Sequence, residues 1–263
     1  MNLRVVKALI LKYGYICSRN TFRLLDVFFW PVMDLLVWGF VSLYMLKVSN
    51  ALPALCTFLI AAAILWNVMF RAQQVVSVSF LDDVWSRNLL NIWAAPIRPS
   101  EYIGAAYLMG LAQAAIVVIL LGALSALVYS FDVLSMGLSF AFLFANLLMM
   151  GWSMGLLVTG FILRWGPPAE PLAWAVPFLV QPVSAVFYPV SVLPAWLQPV
   201  AMVVPSAHVF EGMRQLISQH HIDPMHIVWA AVLNAIYMLF SACMFRFFFE
   251  EARRRGFLAK YAA

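Results

Sequence analysis

Leu81–Glu101, LDDVWSRNLLNIWAAPIRPSE, is the longest polar interruption between the apolar runs of this chain, and its reading decides the fold. It carries Asp82, Asp83, Arg87, Arg98 and Glu101 in a sequence that is 65% hydrophobic and only 10% charged. Val84, Trp85, Asn88, Leu89 and Ile92 fall at i, i+1, i+4, i+5 and i+8, the spacing of an amphipathic helix. Ala95-Pro96 and Arg98-Pro99 then stop any helix, because proline has no N–H to donate and its ring clashes with the preceding turn. A short helix held outside a bilayer between two spans is a surface on which a soluble partner can dock.

The runs on either side are membrane spans by length. A mean hydropathy of +0.93 over 263 residues excludes an ordinary soluble domain, about a quarter of which is charged. The apolar runs reach about 20 residues or more, enough to cross a hydrocarbon core of roughly 30 Å. No period-2 alternation supports a β-barrel. The formal net charge of +5 does not point to nucleic acid, because the basic residues sit at span ends. Arg4, Lys7, Lys12, Arg19 and Arg23 precede the first span, and Arg253, Arg254, Arg255 and Lys260 follow the last. With both termini cytoplasmic, Lys47 and Arg214 are the only basic residues placed outside; the other 14 of 16 lie inside, as the positive-inside rule requires.

Before the first span, Leu3, Val6, Ile10, Tyr13, Cys17 and Leu24 repeat at helical spacing, with Arg4, Lys7, Lys12 and Arg19 on other faces. Residues 1–24 therefore read as an amphipathic helix at the membrane interface. Span 1 covers about Val27 to Leu46 and span 2 starts near Leu52, continuing as a helix past Arg71 toward Phe80. Arg71 is expected to snorkel to the inner headgroups. Span 3 covers about Tyr102 to Tyr129, and span 4 about Leu134 to Leu163. Gly151 and Gly155 in span 4 form a GxxxG pair, which lets helix backbones approach closely in lipid. From Pro167 to Pro205 the chain holds nine of its 14 prolines, so span 5, about Pro171 to Phe187, must be interrupted. A shallow re-entrant pair of half-helices is expected after Tyr188-Pro189, then a polar external segment, Glu211 to His226, and span 6, about Ile227 to Phe249.

Catalytic motifs are absent from the sequence. There is no GxxxxGK[ST], so nucleotide is not bound by the usual Gly-rich loop and lysine, and there is no HExxH or GxSxG. Cys17, Cys56 and Cys243 are scattered without ligand spacing. His208, His220, His221 and His226 cluster late in the chain and read as a solvated loop; no metal site and no catalytic residue is expected. Within the spans, Asp34, Asn67, Arg71 and Gln181 are the polar residues that cost most to bury, which makes Asp34 either a pathway residue or half of a structural pair with a neighbouring cation.

The stretch Ser184–Arg214, SAVFYPVSVLPAWLQPVAMVVPSAHVFEGMR, resembles the signature region of ABC-2 type exporter permeases. The matching positions are Ser184, Phe187, Tyr188, Pro189, Leu193, Pro194, Trp196, Pro205, Glu211 and Arg214; Val204 stands where the family often has Asn. LLNIWAAPIR, Leu89–Arg98, is similar to the segment after the family's cytoplasmic coupling helix, with Pro96 as the recurring proline. The resemblance implies an all-α membrane protein over residues 1–263. It would comprise an interfacial helix (1–24), six transmembrane helices (27–250), a coupling helix between spans 2 and 3, a broken fifth span with re-entrant half-helices and a cytoplasmic basic tail (251–263). It implies the inner-membrane permease subunit of an exporter, a homodimer in contact with membrane lipids and driven by a separate ATP-binding subunit. ATP and Mg would sit on that partner, and this chain would hold no cofactor. Asp82, Asp83, Trp85, Arg87, Asn88 and Asn91 would dock the ATPase; Asp34, Asn67, Gln181, Tyr188 and Glu211 would line or gate the path. The cargo would be a hydrophobic or amphipathic small molecule, or a lipid-linked glycan. An ion-gradient-coupled secondary transporter is the alternative, although Asp34 has no counterpart in span 4, as matched repeats would require. A membrane scaffold or enzyme subunit that transports nothing is the third reading.

Overall fold

The computed structural model describes residues 2–48 and 53–256, and every regular element among them is helical. In chain order these are α1 (Leu3–Arg19), α2 (Thr21–Val48), α3 (Pro53–Trp85), α4 (Leu89–Ala94), α5 (Pro99–Tyr129) and α6 (Gly137–Trp165). They are followed by α7 (Leu172–Val180), α8 (Gln198–Met202), α9 (Pro205–Gln219) and α10 (Pro224–Arg254). The expected start of span 2 near Leu52, and the basic tail beyond Gly256 with Lys260, lie outside the described residues.

Among the described residues, five helices are long and apolar enough to cross a membrane: α2, α3, α5, α6 with its leading 3-10 turn, and α10. Their length and composition are those of a multi-pass membrane protein. The fifth apolar run is broken, as its prolines require. α7 has nine residues, and with the following 3-10 turn Gln181–Val183 it extends about 18 Å at 1.5 Å per residue, short of a hydrocarbon core. A continuous helix therefore stands behind five crossings rather than six among the described residues.

α3 is the central helix. Its most apolar window is 72% buried, against 17–39% for the other four, so protein rather than lipid surrounds it. α6 lies against it where the GxxxG pair removes side chains: a Cβ on Gly151 would sit 2.4 Å from the Met69 carbonyl oxygen. α10 packs on the far side of α6, where Gly160 meets Phe245 and Phe248. In the same interface the buried Asn234 amide donates to the Asn146 backbone oxygen (2.9 Å) and side-chain oxygen (3.0 Å). The two largest apolar clusters among the described residues both form on α3. One gathers Leu65, Met69, Leu147 and Phe210 around the middle of α3. The other gathers Leu9, Phe80, Leu81, Tyr102 and Ile162 around its C-terminal end.

The segment read as a polar external stretch, Glu211 to His226, is different. α9 begins at Pro205 and runs through Glu211 to Gln219, burying Phe210 and Met213 in the first cluster. Its polarity belongs to one face of an amphipathic helix, which residue composition alone did not separate from a loop. Only His220 to Asp223 link α9 to α10. His208, read with the solvated histidines, is 5% exposed, and its Nε2 is 2.8 Å from the Met202 carbonyl oxygen. The His226 ring lies 5.8 Å from it.

Candidate functional site

The polar end of α3 is where charge and surface meet. The docking helix expected over Asp82–Asn91 is instead two pieces. α3 continues to Trp85; Ser86, Arg87 and Asn88 make a turn, with Arg87 at φ 53°; and α4 follows with six residues. Asp82 and Asp83 therefore sit on the last turn of a buried helix and face inward. Asp83 is 1% exposed and accepts from the Lys12 ammonium and, at 2.7 Å, from the Tyr102 hydroxyl. Asp82 accepts both terminal nitrogens of Arg23 in a bidentate pair. The pair residues come from α1, α2, α3 and α5, so these two carboxylates tie four helices together and are not on the outer surface. Glu101 extends the same belt: its carboxylate accepts the N–H of Asn2 (2.6 Å) and of Arg98 (3.0 Å), joining the start of α1 to the start of α5.

The surface that remains is the turn and the outer side of α4. Trp85, Arg87, Leu90 and Asn91 are exposed and Asn88 is half-buried. Arg87 has no side-chain partner among the described residues, while Asn91 donates to Asn88 (3.1 Å). Trp85 is 47% exposed, and its indole N–H donates to Glu170 at 3.0 Å. That bond links the end of α3 to the residues that open the broken fifth segment.

Behind this surface is a cavity of about 270 Å³, between α1, α2, α3, α5 and α7. Arg71 lies in its wall. Sequence placed this residue at the headgroups, but it is 3% exposed. Its guanidinium donates to the Asp26 carboxylate (3.2 Å), the Gln74 side chain (3.1 Å) and the carbonyls of Asp26 (3.0 Å) and Val27 (3.4 Å). The Val27 carbonyl is the one that Pro31, four residues on and lacking an N–H, leaves without a helical donor. A proline in α2 and an arginine in α3 thus meet at one carbonyl. Cys17 faces the same cavity; burial pushes its thiol up, partly opposed by Arg23 and Arg71. Burial, with the Asp83 carboxylate beside it, also pushes the Tyr13 hydroxyl above its ordinary range.

Two of the five residues expected along a path come together in the membrane: Asn67 donates to Asp34 at 2.9 Å and to the Ala63 carbonyl at 2.9 Å. Asp34 is half-buried and makes no ion pair among the described residues. Gln181, Tyr188 and Glu211 belong to the broken segment and to the helix beside it. There the backbone lacks helical partners and side chains supply them, as irregular backbone buried in a membrane protein requires. The Tyr188 hydroxyl donates to the Pro182 carbonyl (2.7 Å) and the Val190 N–H donates to Glu211 (2.7 Å). Arg214 donates to the carbonyl of Ala185 (3.2 Å), a residue at φ 54°, and pairs with Glu211 (2.9 Å) over the ring of Phe58. Gln181 is half-buried with no hydrogen bond of its side chain among those described. Glu211→Gln is accordingly expected to loosen this segment before it alters any passage. We predict faster proteolysis between residues 185 and 198 in the variant, with about 1–2 kcal/mol lost as the charged acceptor becomes an amide. Unchanged proteolysis with altered transport would instead place Glu211 on the path.

Compared with known proteins, the chain matches no protein-family model and no curated protein. The residues that sequence reading missed are Lys12, Arg23, Asp26, Tyr102 and Glu170. Each lies far along the chain from the partner it meets, and only the charge-bearing ends of the spans hinted at them.

Proposed function

We propose that this chain is the membrane-spanning permease subunit of an ABC exporter. It pairs as a homodimer in a bacterial-type inner membrane with both termini cytoplasmic, and is powered by a separate ATP-binding subunit. The observation that carries the reading is the exposed turn at Trp85–Asn91, placed at the end of the most buried of the five long helices among the described residues. A force applied there moves α3 as a unit, because the Asp82 and Asp83 pairs lock its end to α1, α2 and α5. The same force reaches the broken fifth segment through Trp85 and Glu170 and through the Gln73 side chain, which donates to the Ala173 carbonyl at 3.1 Å. The sixth crossing of this reading is α7 with the residues after it. The cargo class is an amphipathic or hydrophobic small molecule, or a lipid-linked glycan.

The test is a mild-detergent pull-down of the chain from its native membrane, with partners identified by mass. Recovery of an ATP-binding subunit near one-to-one stoichiometry supports the reading; recovery of the chain alone, where a control complex survives, removes it. Arg87→Glu combined with Leu90→Glu changes only exposed side chains. It is expected to lower recovery of the ATPase roughly tenfold, about 1.4 kcal/mol of binding, while membrane insertion is unchanged. Equal recovery would remove the docking assignment.

One observation favours the gradient-coupled alternative: Asp34 is a carboxylate in a membrane helix, partnered by an amide rather than a cation. Asp34→Asn separates the two. Loss of transport driven by a proton gradient, with no ATPase present, belongs to the alternative alone.

A further inference from the structure

We infer that the cavity between α1, α2, α3, α5 and α7 is a binding site for the zwitterionic headgroup of a membrane phospholipid, whose acyl chains lie along the outer face of α2. The inference needs only that the chain spans a membrane and stands whether or not it is an exporter.

Size comes first. At about 270 Å³ the cavity has room for several waters. That is below the ~300–1,000 Å³ of sites that enclose a whole drug-sized ligand, so it suits a small polar head and not an entire amphipath. Charge comes next. Two ion pairs line it, Arg23–Asp82 and Asp26–Arg71, and in each pair one partner is sealed. The side chains of Asp82 and Arg71 are 9% and 4% exposed, whereas those of Arg23 and Asp26 are 29% and 45% exposed. Arg23 and Asp26 are three residues apart on α2, so they stand on the same helix face. An incoming molecule therefore meets one accessible cation and one accessible anion side by side. Both have capacity left. Arg23 gives two of its five N–H groups to Asp82, and Asp26 has one carboxylate oxygen without a partner among the described residues. A phosphate on Arg23 and an ammonium on Asp26 satisfy both, while a head of single charge meets repulsion from one of them.

The mouth supplies the rest. Phe22 and Asp26 belong both to this cavity and to an open groove of about 380 Å³ whose other walls are Leu25, Phe29 and Trp30. The chamber that holds the two ion pairs thus opens directly onto an apolar channel along α2, the head-and-tail arrangement of a lipid. A free phosphate or a soluble zwitterion would leave that channel unused.

Cys17, in the cavity wall, is a native reporter. The full chain carrying Cys56→Ser and Cys243→Ser is reconstituted in vesicles of four lipids with identical acyl chains, and maleimide modification of Cys17 is timed above neutral pH. The four are phosphatidylethanolamine, phosphatidylcholine, phosphatidylglycerol and a neutral galactolipid. Several-fold slower modification in the first two than in the last two is expected. Asp26→Asn, which keeps an acceptor for Arg71, is expected to abolish the difference. A Cys17→Ser, Cys56→Ser, Cys243→Ser chain carrying Leu90→Cys, which reports from the exposed side of α4, should show no lipid dependence. Equal protection in phosphatidylglycerol would reduce the site to one for phosphate, and equal protection in galactolipid to one for hydroxyl groups. Either result, equal rates in all four lipids, or full protection in Asp26→Asn, overturns the assignment.

Discussion

Gly151→Ala is expected to lower the thermal unfolding midpoint of the purified protein by roughly 5–10 °C, the equivalent of about 2–3 kcal/mol of overpacking. The added methyl would lie 2.4 Å from the Met69 carbonyl oxygen and 2.7 Å from the Ala72 Cβ. Neither atom belongs to the far end of a flexible side chain, so relief requires α3 and α6 to separate. Gly155→Ala meets the Val76 Cβ at 2.7 Å and the Gln73 carbonyl oxygen at 2.8 Å, and should behave alike. In lipid the loss of close packing is not recovered by hydrophobic drive, because lipid tails are as apolar as the helices. The control is Gly14→Ala in α1, where an added methyl has nothing within 4 Å. There the substitution should stabilise by about 0.5–1 kcal/mol through helix propensity. If Gly151→Ala matched Gly14→Ala in sign, the α3–α6 contact would not be the tight one described.

Asp83→Ala is expected to cost about 3 kcal/mol and to release α1 from the bundle. Removing one partner of a buried pair typically costs ~3–5 kcal/mol, and the low end applies because Lys12, 27% exposed, can recover water. The Tyr102 hydroxyl cannot: it is buried beneath α1 and would lose its 2.7 Å acceptor, keeping only the Ser79 carbonyl at 3.5 Å. Hydrogen exchange over residues 3–19 should speed up in the variant. The double variant Lys12→Met, Asp83→Leu should recover much of the loss, since replacing both ends of a buried pair with apolar groups is often neutral. Equal losses in the single and double variants would show that shape rather than charge holds α1. The result also bears on docking tests, in which Asp83 is the wrong residue to change. Its loss disturbs the bundle, whereas Arg87 and Leu90 report on the surface alone.

Much of the architecture was legible in the chain itself. Runs of about 20 apolar residues have one low-energy arrangement in a bilayer, a helix with every backbone group bonded internally, so the five long helices follow from hydropathy. The small-residue spacing at Gly151 and Gly155 announced a close helix contact, and α3 supplied it. Nine prolines between Pro167 and Pro205 forbade a continuous fifth span, and α7 stops at Val180. The pairing of Asn67 with Asp34 was not predicted, although both residues stood out as costly to bury.

What the tertiary structure alone decided is the direction in which each polar group points. A charge beside an apolar run reads equally as a docking residue, a snorkelling cation or half of an ion pair. The choice depends on which distant segment covers it. Asp82 and Asp83 turned inward because Arg23 and Lys12, about 60 and 70 positions away, lie over them. Arg71 is covered because Asp26 and the α2 carbonyls, about 45 positions away, lie against it. Glu211 became a latch on the Val190 backbone because α9 is a packed helix. In each case the sequence fixes the cost of burying the group, and only the fold supplies the partner that offsets it.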